Sequence, residues 1–123
     1  MEKKVSPAEI EDRLIEFASR ILDLSESLPK TAVAKHLGGQ IMRSGTSPAL
    51  NYGEARAAES NSDFLHKVKV CLKELRETLI CLKLIEKRTW FTAGKLSPLL
   101  QENNELVSIF VVTAKSIQRK QGG

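Results

Sequence analysis

Residues 6–29 read SPAEIEDRLIEFASRILDLSESLP, and the fold is decided by how that stretch is spaced. Ser6 offers a capping hydroxyl, Pro7 occupies the first helical position where its missing amide costs little, and Glu9 can return to the cap. Ile10, Leu14, Phe17, Ile21, Leu24 and Leu28 then recur at steps of 4, 3, 4, 3 and 4, which keeps one apolar stripe on one helical face. Leu28-Pro29 ends the helix, because the residue before a proline is pushed out of the helical region. A helix of this length with one apolar stripe needs partner helices to cover it.

The rest of the chain supplies them. Thr31 can cap a second helix to about residue 57, with Val33, Leu37 and Ile41 inward, Gly38-Gly39 weakening its start, and Pro48 predicting a kink. Ser60 and Asp63 have capping-box spacing and open a third helix, over 62–86, whose stripe is Phe64, Val68, Cys71, Leu75, Leu79 and Leu82. Ser97-Pro98 starts a fourth, over 98–118, and the closing Gln121-Gly-Gly should fray. With the first helix at 7–28, the chain reads as one all-α domain over 1–123, an antiparallel up-down-up-down four-helix bundle. Only 7 Gly and 4 Pro in 123 residues argue against the many short strands of a sandwich or barrel.

Charge is unevenly placed. Residues 1–62 carry 8 basic and 9 acidic side chains, whereas residues 63–123 carry 11 and 6, so the basicity belongs to the second half. Lys69, Lys73, Arg76, Lys83 and Lys87 recur within about 80° of one face of the third helix, a row about 27 Å long. Such a row can track the phosphates of structured RNA or DNA; equally, it can be a solvated lysine face. Ile80 interrupts it, Glu77 and Glu86 flank it, and no aromatic side chain interleaves it.

Apolar residues also exceed what one bundle face requires. Leu79 to Ile85 point almost all round the third helix, and Leu106 to Val112 do the same on the fourth. The excess predicts a homo-oligomer using Ile80, Leu84, Val107, Phe110 and Val111, against the alternative of ordinary exposed apolar surface.

Signals for catalysis are missing. His36 and His66 have no second ligand at metal spacing, and the sequence holds no phosphate loop, nucleophile elbow or dinucleotide fingerprint, so neither an enzyme, a cofactor, a metal nor a small-molecule substrate is expected. Cys71 and Cys81 lie about 15 Å apart along one helix, too far to bridge, and read as reduced core thiols. With no apolar signal run in MEKKVSPAEIEDR and no membrane-length apolar stretch, a cytoplasmic protein is expected.

The run Arg43-Ser-Gly-Thr-Ser47, Asn51-Tyr52, Glu54-Ala55, Ala58, Ser60, Asp63-Phe64, His66-Lys67, Leu72-Lys73-Glu74 and Arg76-Glu77-Thr78 resembles the bacterial four-helix bundle family encoded within intervening sequences of 23S ribosomal RNA genes. The resemblance implies a homopentameric ring, a biochemical role that is not known, an association with nucleic acid, and no catalytic residues. The ribosomal label often attached to this family is not evidence of a ribosome component. Pro48-Ala49-Leu50 departs from the family pattern and bears on the path of the second helix. The motif residues admit two readings. In an antiparallel hairpin centred near residue 59, Arg43 falls beside Glu74 and fixes register, with Ser44, Gly45 and Ser47 allowing close approach. Alternatively, Arg43, Asn51 and Glu54 build a binding site. Ser47 and Asp63 belong to the same motif under either reading.

Overall fold

The computed structural model describes residues 5–122. It contains four helices, α1 (Pro7–Ser27), α2 (Ala32–Arg56), α3 (Asn61–Lys87) and α4 (Ser97–Gly122), and no strand among the described residues. The start signals act as their chemistry dictates. Ser6 Oγ accepts from the Glu9 amide at 3.1 Å, Thr31 Oγ1 from Ala34 at 3.1 Å, and Ser60 Oγ from Asp63 at 3.0 Å, each satisfying an otherwise orphaned donor. Leu28 closes α1 in an extended conformation, with ψ of 152° immediately before Pro29.

One buried cluster draws on all four helices, and Ile10, Leu14, Phe17, Ile21 and Leu24 of α1 enter it along the stripe that their spacing defines. Neighbours in sequence are neighbours in space: α2 packs on α1 and α3, α4 packs on α3, and α1 meets α4 only sparsely. The diagonal pair α1 and α3 do not meet. The α1–α2 hairpin runs antiparallel, since Leu28 lies against Gly38, Ile21 against Gly45 and Glu11 against Arg56. The α2–α3 hairpin does too, since Leu37 meets Cys81, Ser44 meets Thr78, Pro48 meets Cys71 and Glu54 meets Lys67.

Several expectations are corrected. Val33 is 51% exposed and Leu37 only half-buried, while Ala34 and Gly38 turn inward, because α2 rotates its small residues toward α1. Gly45 makes its close approach to α1 rather than to α3: a Cβ there would sit 2.7 Å from Ile21 Cγ2. Pro48 is buried inside α2, and its own carbonyl accepts from the Cys71 thiol at 3.4 Å. At the other end, α4 continues through Gln121 to Gly122, with Arg119 and Lys120 in its last turn, where cations suit the helix dipole; Gly123 lies outside the described residues.

Nothing in the sequence pattern singles out Asn103. Fully buried on α4, it lies against the Leu75–Leu79 turn of α3. Oriented to satisfy both its polar atoms, its amide nitrogen donates to the Leu75 carbonyl at 3.0 Å and its oxygen accepts from the Leu79 amide at 3.2 Å. A buried amide satisfied at one level only ties α4 to one register on α3.

Candidate functional site

The row on α3 lies where helical spacing puts it. Lys69, Lys73, Arg76, Lys83 and Lys87 are all exposed, and none forms an ion pair with a described residue. The cause is helical phase: Val68, Cys71, Leu75, Leu82 and Ile85 point into the core, which leaves the opposite face of the same helix to the cations. Glu77, one of the flanking acids, is occupied by Arg43. Ile80 is 58% and Leu84 50% exposed; Ile80 lies within the row and Leu84 borders it on the α2 side.

The other residues named from sequence are drawn into the architecture. Arg43 donates to Glu74 Oε2 at 2.9 Å and also to Glu77, so the expected cross-helix pair is present and gains a second carboxylate. Glu74 is mostly buried and Arg43 half exposed. Asn51 Nδ2 donates to the Ser47 carbonyl at 3.0 Å and to Ser47 Oγ at 2.9 Å within α2. Lys67 donates to Glu54 at 3.2 Å across the hairpin. Asp63 stands in the first turn of α3, over the cap. These contacts lie along the α2–α3 seam, within α2 and at the α3 cap rather than converging on one point, which favours the register reading over a binding site.

The oligomer residues separate into three groups. Ile80 and Leu84 lie outside the bundle. Val107 and Val111 are half-buried against it. Phe110 corrects the expectation: only 1% exposed, it belongs to the core and stacks edge-on against Tyr52 with ring centroids 5.4 Å apart. A lysine there would destroy this chain's own core instead of a boundary between copies.

Cys71 and Cys81 are free and buried, and burial pushes the Cys71 thiol up to about 12 and raises that of Cys81 as well. A thiol so shifted is a poor nucleophile near neutral pH. Among the described residues, no group of three His, Cys, Asp or Glu is placed to hold a metal ion. The surface depressions include one of about 290 Å³ beneath the α3–α4 connection and one of about 420 Å³ where Tyr52 and Arg56 meet the start of α3. Neither gathers residues of the basic row. No helix is long and apolar enough to cross a membrane, among the described residues.

Sequence reasoning missed Arg13. Its guanidinium grips Glu102 through two hydrogen bonds, 2.6 and 3.0 Å, and reaches Glu105 at 3.2 Å, bridging α1 to α4. Those hydrogen bonds, the one to Glu102 foremost, raise the Arg13 pKa against a smaller desolvation cost.

A model of the 23S rRNA-intervening sequence protein family matches residues 8–111, which covers most of the chain and reaches all four helices. The chain belongs to this family. It is also similar to the crystal structure of a protein of unknown function from the S23 ribosomal protein family of Bacteroides thetaiotaomicron, at 30% sequence identity and a TM-score of 0.82. That similarity covers 89% of this chain and 97% of the other. No curated protein matches the chain. Membership explains why the Arg43–Thr78 run is legible, and the structure places Arg43, Ser44, Glu54, Lys67, Glu74, Glu77 and Thr78 of it in contacts across the α2–α3 seam.

Proposed function

We propose that this 23S rRNA-intervening sequence family protein works without catalysis as a homo-oligomer, pentameric as the sequence resemblance implies, in the cytoplasm. The observation that carries the reading is apolar surface outside the bundle. Ile15, Leu22, Met42, Leu50, Ile80, Leu84 and Val112 all remain at least 41% exposed, and none of the described helices covers them. Sedimentation equilibrium should give about five times the 13.7 kDa chain mass. A monomer at every concentration would overturn the reading.

A second reading rests on the basic row, whose five cations are exposed and unpaired among the described residues. In it, the assembly binds structured RNA or DNA through phosphates. Gel shift with a structured RNA and with a DNA duplex, repeated at rising salt, tests this. Affinity should fall steeply with salt and not depend on base sequence. An absence of any shift at micromolar protein would leave a protein-interaction scaffold without nucleic acid.

A further inference from the structure

The outer face of α1 is the electrostatic inverse of the basic row. Glu9, Asp12, Glu16, Asp23 and Glu26 are all exposed along it, and none forms an ion pair with a described residue. Of the two arginines of α1, Arg13 turns to meet α4, and Arg20 lies at the α4-side edge of the face. Because α1 and α3 are diagonal and do not meet, their outer faces point to opposite sides of the bundle. One chain cannot bring them together; two copies can.

We propose that the basic row of α3 docks on the acidic face of α1 in a second copy of this chain, parallel and in register, so that copies join head to tail. The inference rests on the homo-oligomeric reading above and names the surfaces that form it. Three features support the pairing. The acidic row steps by 3, 4, 7 and 3 residues and the basic row by 4, 3, 7 and 4, so both have their long gap at the same place. At about 1.5 Å per residue the rows are about 26 and about 27 Å long. Aligned, Glu9 faces Lys69, Asp12 faces Lys73, Glu16 faces Arg76, Asp23 faces Lys83 and Glu26 faces Lys87.

Direction agrees as well. Both α1 and α3 run antiparallel to α2, hence parallel to each other. Copies related by rotation about an axis along the bundle keep that direction, so the next copy's α1 arrives parallel to α3. The apolar residues complete the fit. Ile15 and Leu22 lie on the α2 side of the acidic row, Ile80 lies within the basic row and Leu84 on its α2 side, and the same alignment sets Leu22 between Ile80 and Leu84. Pairing α3 with α3, or α1 with α1, would oppose five like charges, which selects the head-to-tail arrangement. A nucleic acid would leave Ile80 and Leu84 facing phosphates, and the row offers no aromatic side chain on which a base could stack.

Charge reversal tests the pairing. Three variants are compared with the parent by sedimentation velocity: Arg76→Glu with Lys83→Glu, Glu16→Lys with Asp23→Lys, and all four together. Circular dichroism checks that each keeps its helix content, which exposed positions should permit. Each double variant should weaken association about tenfold or more, toward the 13.7 kDa species, and the quadruple variant should recover the parent mass. Double variants that keep the parent mass, or a helical quadruple variant that stays dissociated, overturn the pairing while the oligomeric reading stands. A parent that is itself monomeric overturns both.

Discussion

Along the α2–α3 seam, polar contacts recur from one end to the other: Cys81 on the Leu37 carbonyl, Thr78 on Ser44, Arg43 on Glu74 and Glu77, Cys71 on the Pro48 carbonyl, Lys67 on Glu54. The α1–α4 seam, by contrast, is bridged among the described residues by Arg13 with Glu102 and Glu105. The difference follows from chain connectivity. A short turn over residues 57–60 already sets α2 beside α3, so polar groups can be matched at each level and any slip leaves several of them unpaired at once. α1 and α4 are the two ends of the chain's helix order, and their contact is sparse. A two-pronged, part-buried guanidinium clamp suffices there, its hydrogen bonds outweighing the desolvation they must offset.

The largest effect should come from breaking the dense seam. Arg43→Ala strips a mostly buried Glu74 of its cation and should cost about 2 kcal/mol, between the values for fully buried and fully exposed pairs. Glu74→Ala should cost less, because Arg43 is half exposed and keeps Glu77. Urea unfolding of both single variants and the double gives the coupling energy. A value near zero would show that the pair does not hold the seam.

Next in size is the pair of glycine substitutions on α2. Gly45→Ala drives a methyl into Ile21, and the overpacking should outweigh the gain in helix propensity, leaving a net loss of about 1 kcal/mol. Gly39→Ala meets nothing within 4 Å and should stabilise by about 0.5–1 kcal/mol. Equal thermal shifts for the two would mean that the close approach of α1 and α2 is not tight. The smallest effect sharpens the contrast. Arg13→Ala should cost under about 1 kcal/mol globally, since both partners reach water. Its signature should be faster amide exchange in the first turns of α4, with α2 and α3 unchanged.

Much of this architecture is legible in the amino-acid sequence alone. Helix starts at Ser6, Thr31 and Ser60, the core stripe of α1, the Arg43–Glu74 pair and the outward phase of the basic row all follow from spacing within one or two adjacent helices. Local spacing is something a linear chain carries by itself, because caps and 3.6-residue periodicity depend on neighbours in sequence. Tertiary packing decided the rest. Whether Phe110 faced a neighbour or the core depended on where Tyr52 stood; whether Gly45 approached α1 or α3 depended on the rotation of α2 about its axis. Arg13 became meaningful only when α4 came to rest against α1 from the other end of the helix order, and Asn103 only when the rotation of α4 against α3 was set. Rotation and long-range adjacency are properties of all four helices packing at once, and no single stripe encodes them.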